Sequence, residues 1–83
     1  MIKWDFLADE MKREGYQLIG PVEEPIFNNE YIGIDISDER TVILPQHSTG
    51  LKFRTEIPSN LLDTATVIKL AKIYTGIVEG VGK

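Results

Sequence analysis

The single histidine of the chain, His47, is followed by two hydroxyl residues, Ser48 and Thr49. An imidazole base beside a hydroxyl nucleophile is the combination that many hydrolases use for covalent catalysis. Adjacent residues of an extended segment point to opposite sides, however, and a catalytic base normally approaches its nucleophile from a different part of the fold. The spacing therefore favours a solvated polar loop, and we expect no catalytic residues here.

Three carboxylates lie close together in the chain, at Asp35, Asp38 and Glu39. Carboxylate oxygens suit hard cations, but the spacing lacks the Asp-x-Asp-x-Asp-Gly pattern of a calcium loop. A turn between two strands accounts for these residues, so we expect no metal and no cofactor. A small enzyme that combines His47 with the turn at residues 35–39 remains a hypothesis, and it requires a pocket that joins the two segments.

Lys52 and Arg54 alternate along a predicted strand, and Tyr31 falls in a neighbouring one. Basic and aromatic side chains on one sheet face form the kind of platform on which single-stranded nucleic acid stacks. Glu56 shares the same face and Asp35 is expected to oppose Lys52 and Arg54 across the sheet, so cross-strand charge pairing explains the pattern equally well. Nucleic-acid binding is therefore the alternative function, and the less favoured one.

Length and charge limit the possible classes of protein. The chain has 83 residues, a formal net charge of −4 and no cysteine. One domain over residues 1–83 is expected, because each independent core needs roughly 50 residues or more. A domain this small buries only about 60% of the surface of its unfolded chain. Because no disulfide can reinforce that core, self-association is the support that the composition favours.

No apolar segment has the features of a signal peptide or a membrane span. Acidic residues interrupt the N-terminal segment at Asp5, Asp9 and Glu10. The apolar region at residues 67–78 is interrupted by Lys69 and is shorter than the roughly 18 apolar residues that a span needs. We expect a cytoplasmic protein without membrane contact, of a composition typical of small bacterial or phage accessory proteins.

The apolar residues predict a helix at each end of the chain and strands between them. Helical spacing over residues 2–14 predicts an amphipathic helix, and Gly15 ends it. Short β-branched segments at residues 16–19, 31–37, 41–44 and 51–57 predict strands. Residues 21–30 predict a loop that Phe27 anchors to the core. The result is an α+β domain of order α-β-β-β-β-α, with three or four antiparallel strands and both helices on one sheet face.

The second helix is predicted over residues 61–79, with Ser59 or Asn60 as its N-terminal cap. It carries more apolar residues than one core face requires. Its core stripe is predicted to contain Val67, Leu70, Ala71, Tyr74, Ile77, Val78 and Val81. A further apolar set falls partly outside that stripe: Leu61, Leu62, Ala65, Ile68 and Ile73. Cover from the first helix and the 21–30 loop, a homodimer, or a groove for a foreign helix would each explain this set.

These observations favour a non-enzymatic protein-interaction or regulatory module that forms a homodimer through its C-terminal helix. A foreign protein partner is the other expectation, and nucleic acid is not expected as a partner. No phosphate-binding loop, nucleophile elbow or metal-ligand pattern contradicts this interpretation.

Overall fold

The computed structural model describes residues 1–81 and confirms the α+β architecture. Its helices are α1 (Trp4–Arg13) and α2 (Thr64–Val81), and its strands are β1 (Gln17–Ile19), β2 (Ile26–Asn28), β3 (Ile32–Ile36), β4 (Arg40–Pro45) and β5 (Thr55–Pro58). Short 3₁₀ helices at His47–Thr49 and Ser59–Leu61 flank β5. Neither α-helix in this described part combines the length and the apolar character that a membrane crossing needs.

The five strands form an antiparallel meander in the order β1-β2-β3-β4-β5. The sheet has one strand more than expected, because Ile26–Asn28 is paired on both sides rather than being part of a loop. Three residues between Pro25 and Asn29 are too few to show an alternating pattern, so only pairing with β1 and β3 identifies this strand. Phe27 is fully buried, which confirms that it anchors the segment.

The hydrophobic core lies between the inner face of the sheet and the two helices. One row across the sheet pairs Leu18, Phe27, Ile34, Ile43 and Thr55 in sequence from β1 to β5. Helix α1 contributes Leu7, Ala8 and Met11, and helix α2 contributes Val67, Ala71 and Val78. All the buried apolar side chains of the two helices join one cluster with the sheet, so the prediction that both helices cover the same face is confirmed.

The last strand is shorter than predicted, because residues 51–54 are not paired in the sheet. Gly50 adopts a left-handed conformation (φ 75°) at the end of the 3₁₀ helix and redirects the chain. Leu51 and Phe53 nevertheless pack against the core cluster. The alternating pattern therefore located the buried side chains correctly but overestimated the strand.

Helix α2 begins at Thr64, three residues later than predicted, and its cap is neither Ser59 nor Asn60. The backbone amide of Thr66 donates to Oδ1 of Asp63 at 2.8 Å, which is the geometry of an N-cap carboxylate. The Ser59 hydroxyl donates instead to the carbonyl of Ser37 at 2.6 Å, on the preceding hairpin. This tertiary contact explains why Ser59 is not the cap.

Candidate interaction surface

A row of large aliphatic side chains on α2 is exposed to solvent. Ile73, Ile77 and Val81 have exposed fractions of 48%, 53% and 60%. Residues four apart on an α-helix lie on the same side, so the three form one continuous row. We call this row, together with the adjacent Gly76 and Gly80, the α2 surface.

Helix α1 leaves the α2 surface open because it packs on the other flank of α2. The Tyr16 hydroxyl, just after α1, donates to the carbonyl of Ala71 at 2.9 Å, and Lys72 lies 3.5 Å from the carboxylate of Glu14. The backbone amide of Lys3 donates to the Thr64 hydroxyl at 2.7 Å. At about 100° per residue, Ile73 and Ile77 lie on the flank of α2 opposite to these contacts.

The open flank of α2 borders the β5 side of the domain. Phe53 stacks on Tyr74, with ring centroids 5.8 Å apart. The Thr55 hydroxyl donates to the Tyr74 hydroxyl at 3.1 Å. These contacts hold the β5 edge against α2 but leave Ile73 and Ile77 about half exposed. The row therefore lies on a fixed part of the structure.

Two glycines interrupt α2 at positions where the monomer does not need a glycine. A Cβ atom built on Gly76 or on Gly80 meets nothing within 4 Å. Glycine in a helix interior destabilises it by roughly 1 kcal/mol relative to alanine. No intramolecular contact at either glycine offsets this cost, and the space beside both is open to a group that approaches from outside.

Charged residues border the α2 surface on the flank nearest α1. Lys72 and Glu79 lie seven residues apart and thus in nearly the same direction, and Lys69 is exposed between this flank and the aliphatic row. Lys72 pairs with Glu14 at the C-terminal end of α1, a contact that is screened by solvent. The surface therefore has an apolar side and a charged side.

The structure separates the residues that the sequence placed at the interface. Leu62 is buried in the core before α2 begins, and Ile68 is half-buried against the core cluster. Leu61 is 72% exposed but lies in the 3₁₀ helix rather than on α2. Ala65 is exposed at the start of α2, and Ile73 lies in the exposed row.

Ile77 and Val81, which the helical periodicity assigned to the core, belong instead to the exposed row. Periodicity locates a stripe of apolar residues but not the angle over which other elements cover it. The spacing of Gly76 and Gly80, four residues apart and beside Ile77, was the available signal for this surface.

The three residues predicted to form a polar platform lie outside the paired strands, in two different segments. Arg54 pairs with Glu56 at 3.0 Å, and Arg40 approaches the same carboxylate at 3.0 Å. Arg54 keeps the pKa of Glu56 below its ordinary value, and Arg40 contributes a smaller part of this effect. Lys52 precedes β5 in the unpaired segment. Tyr31 lies before β3, two strands from β5.

Tyr31 borders an acidic cleft of about 580 Å³, together with Glu14, Glu30 and Thr75. A hydrogen bond to Glu30 raises the pKa of Tyr31, and the charge of Glu79 adds to the effect. An anionic cleft of this kind disfavours phosphate groups. The surroundings of Tyr31 thus give no support to nucleic-acid stacking.

His47 and the acidic turn lie at opposite ends of β4. Asp38 and Glu39 precede this strand, whereas His47 follows it in an exposed 3₁₀ helix. Strand β4 runs over Arg40–Pro45, so roughly 20 Å of extended chain separates the two segments. None of the clefts lined by Tyr31, by Asp38, by Glu39 or by Asp35 includes His47, and residues 1–81 contain no group of three potential metal ligands.

The sheet face that the helices leave open mixes charged and apolar residues, with Asp35, Arg40 and Glu56 on β3, β4 and β5. Its apolar residues are Ile19, Ile26, Val42 and Leu44, and a cleft of about 270 Å³ lies over Gly33 between them. Ile19, Ile26 and Leu44 are 47%, 38% and 39% exposed, and Asp35 lies between Ile26 and Val42, whereas the exposed α2 row reaches 60% with no charged residue within it. The α2 surface is therefore the stronger candidate for a protein contact.

Comparison of the chain with known proteins finds no matching family model, curated protein or solved structure.

Proposed function

We propose that the protein is a non-enzymatic protein–protein interaction module that acts in the cytoplasm and docks its partner on the α2 surface. The exposed row of Ile73, Ile77 and Val81 carries this proposal. Burying a large aliphatic side chain completely stabilises a protein by about 1.5–3 kcal/mol. Since each of the three is about half exposed, covering the row would contribute roughly 1 kcal/mol per residue.

The arrangement of the row suits a helical partner. Side chains four residues apart along a straight helix form a ridge, and ridges pack into the grooves of a second helix. The glycines beside the ridge allow that helix to approach closely. A cytoplasmic location is consistent with a chain that contains no cysteine and so needs no oxidising compartment.

The proposal is tested by capturing the tagged protein from its native cells, with and without nuclease. We compare the wild type with Ile77→Asp, and with Phe6→Asp as the matched control. Phe6 is 54% exposed on α1, so its replacement adds the same charge without touching the α2 surface. A second copy with a different tag, expressed in the same cells, reveals self-association.

We expect Ile77→Asp to lose a partner that the wild type and the Phe6→Asp control retain in near-stoichiometric amount. Retention of every captured protein by Ile77→Asp would contradict the proposal. A capture that nuclease abolishes would transfer support to the nucleic-acid hypothesis. Circular dichroism of both variants verifies that the fold is intact.

A further inference from the structure

We infer that the partner on the α2 surface is a second copy of the chain, with its α2 antiparallel to the first. This inference rests on the proposed function and specifies its partner. It is carried by three features of the exposed helix, namely the order of large residues followed by glycines, the order of charges on one flank, and the apolar residues on the other.

The large residues and the glycines complement each other when two copies of α2 run antiparallel. In a two-fold helix pair, the facing positions follow a seven-residue pattern. Lys69, Ile73, Gly76 and Gly80 occupy these positions on the exposed side of α2. Antiparallel pairing places Ile73 opposite Gly76 of the second copy and Lys69 opposite Gly80 of the second copy. Each large side chain then faces a residue without one.

The flanks of the helix are also self-complementary in this orientation. Two-fold symmetry brings the same flank of each helix together, so Lys72 lies beside Glu79 of the second copy, and Glu79 beside Lys72 of the second copy. On the other flank, Ile77 approaches the half-buried Leu70 of the second copy. One arrangement therefore matches both charge and apolar surface.

A parallel pair does not provide this match. It would place Gly76 against Gly76 of the second copy and leave a void there, while Ile73 would face its own counterpart. Lys72 would lie beside Ile77 of the second copy, with no carboxylate in register. The order of residues in α2 therefore selects the antiparallel orientation.

The contact is short, and its affinity follows from its length. Residues 66–80 extend over about 22 Å of helix, so the interface is at the small end of specific protein contacts. We expect a dimer that dissociates on dilution. Its mass should approach twice the monomer mass of 9.4 kDa as the concentration rises.

Sedimentation equilibrium between about 10 µM and about 1 mM tests the pairing on purified protein. The variants are Lys72→Glu and Glu79→Lys, each examined separately and then as an equimolar mixture. In the proposed dimer, residue 72 of each copy lies beside residue 79 of the other. Either substitution alone therefore places like charges at both of these contacts, whereas a dimer of one Lys72→Glu chain and one Glu79→Lys chain has opposite charges at both. We expect each single variant to weaken dimerisation by about tenfold or more, and the mixture to recover it.

Recovery in the mixture also shows that both variants are folded, including Lys72→Glu, whose new charge faces Glu14 of its own chain. A wild type that stays monomeric to about 1 mM would overturn the inference. Dimerisation of the single variants with wild-type affinity, or failure of the mixture to recover, would overturn the antiparallel arrangement. If the chain is monomeric and Ile77→Asp still loses a foreign partner, the inference fails while the proposed function stands.

Discussion

Replacing Gly76 by alanine should stabilise the isolated domain. Gly76 lies in the middle of α2, and a Cβ atom added there meets nothing within 4 Å. Alanine exceeds glycine in helix propensity by about 1 kcal/mol, and no lost contact offsets the gain. In a domain of this size, 1 kcal/mol corresponds to a rise in Tm of about 4–8 °C.

The assay is thermal and urea unfolding followed by circular dichroism, at a protein concentration where the chain is monomeric. Gly15→Ala is the matched control, because an added Cβ also meets nothing within 4 Å there, but the backbone has φ +94°. A side chain in that conformation is strained, so this variant should unfold at a lower temperature than the wild type. Because both glycines have room for a side chain, opposite changes in Tm at the two positions would show the effect of backbone conformation alone.

The same position separates the stability of the monomer from association. Gly76→Gln retains good helix propensity but fills the space that Ile73 of a second copy would occupy. We therefore expect a monomer more stable than the wild type and a dimer that no longer forms. Two results would refute this reasoning: an alanine variant no more stable than the wild type, or a glutamine variant that associates normally.

Three further predictions concern the fold that supports the α2 surface. Phe27→Ala should cost about 3–5 kcal/mol of unfolding free energy, because the ring is fully buried. Ile26→Ala, at the exposed neighbouring position, should cost far less. Equal urea midpoints for the two variants would contradict this prediction. Tyr16→Phe should cost about 1 kcal/mol through its hydrogen bond to α2. Burial raises the pKa of Tyr16 above 10.0, so the wild type should lose stability as the pH rises above that value. Tyr16→Phe should lose less stability over the same range. Parallel pH profiles of the two proteins would show that the Tyr16 hydroxyl does not contribute in this way. Asp63→Ala should lower Tm at neutral pH more than Asp63→Asn does, since asparagine can still cap α2. Hydrogen bonds from Thr66 lower the pKa of Asp63, so the difference in Tm between the wild type and the alanine variant should disappear as the pH falls below 3.8. A difference in Tm that persists at lower pH would argue against a charged cap.

Local patterns predicted the elements whose length or period is distinctive. The helical spacing of Leu7 and Met11 located α1, and the alternation of Ile32, Ile34 and Ile36 located β3. These patterns arise because a helix or a strand turns its side chains at a fixed angle, which the residue types record directly.

Local patterns could not predict the short strand β2 or the residue that caps α2. Strand β2 has three residues, and its hydrogen bonds go to partners on either side of it in the sheet. Ser59 was an equally good cap by residue type, but its hydroxyl is engaged by the β3–β4 hairpin, which left Asp63 to begin α2. In both cases the deciding interactions come from residues distant in the chain.

The candidate surface, too, was predictable from the sequence only in part. Residue types and spacing determined that α2 would be a long apolar helix with more hydrophobic surface than one core face can bury. They could not determine which of those residues would remain exposed, and so Leu62 was assigned to the interface and Ile77 to the core. That outcome depends on the flank of α2 against which α1 packs, because a residue is buried only where another element covers it, and only the tertiary structure specifies that direction.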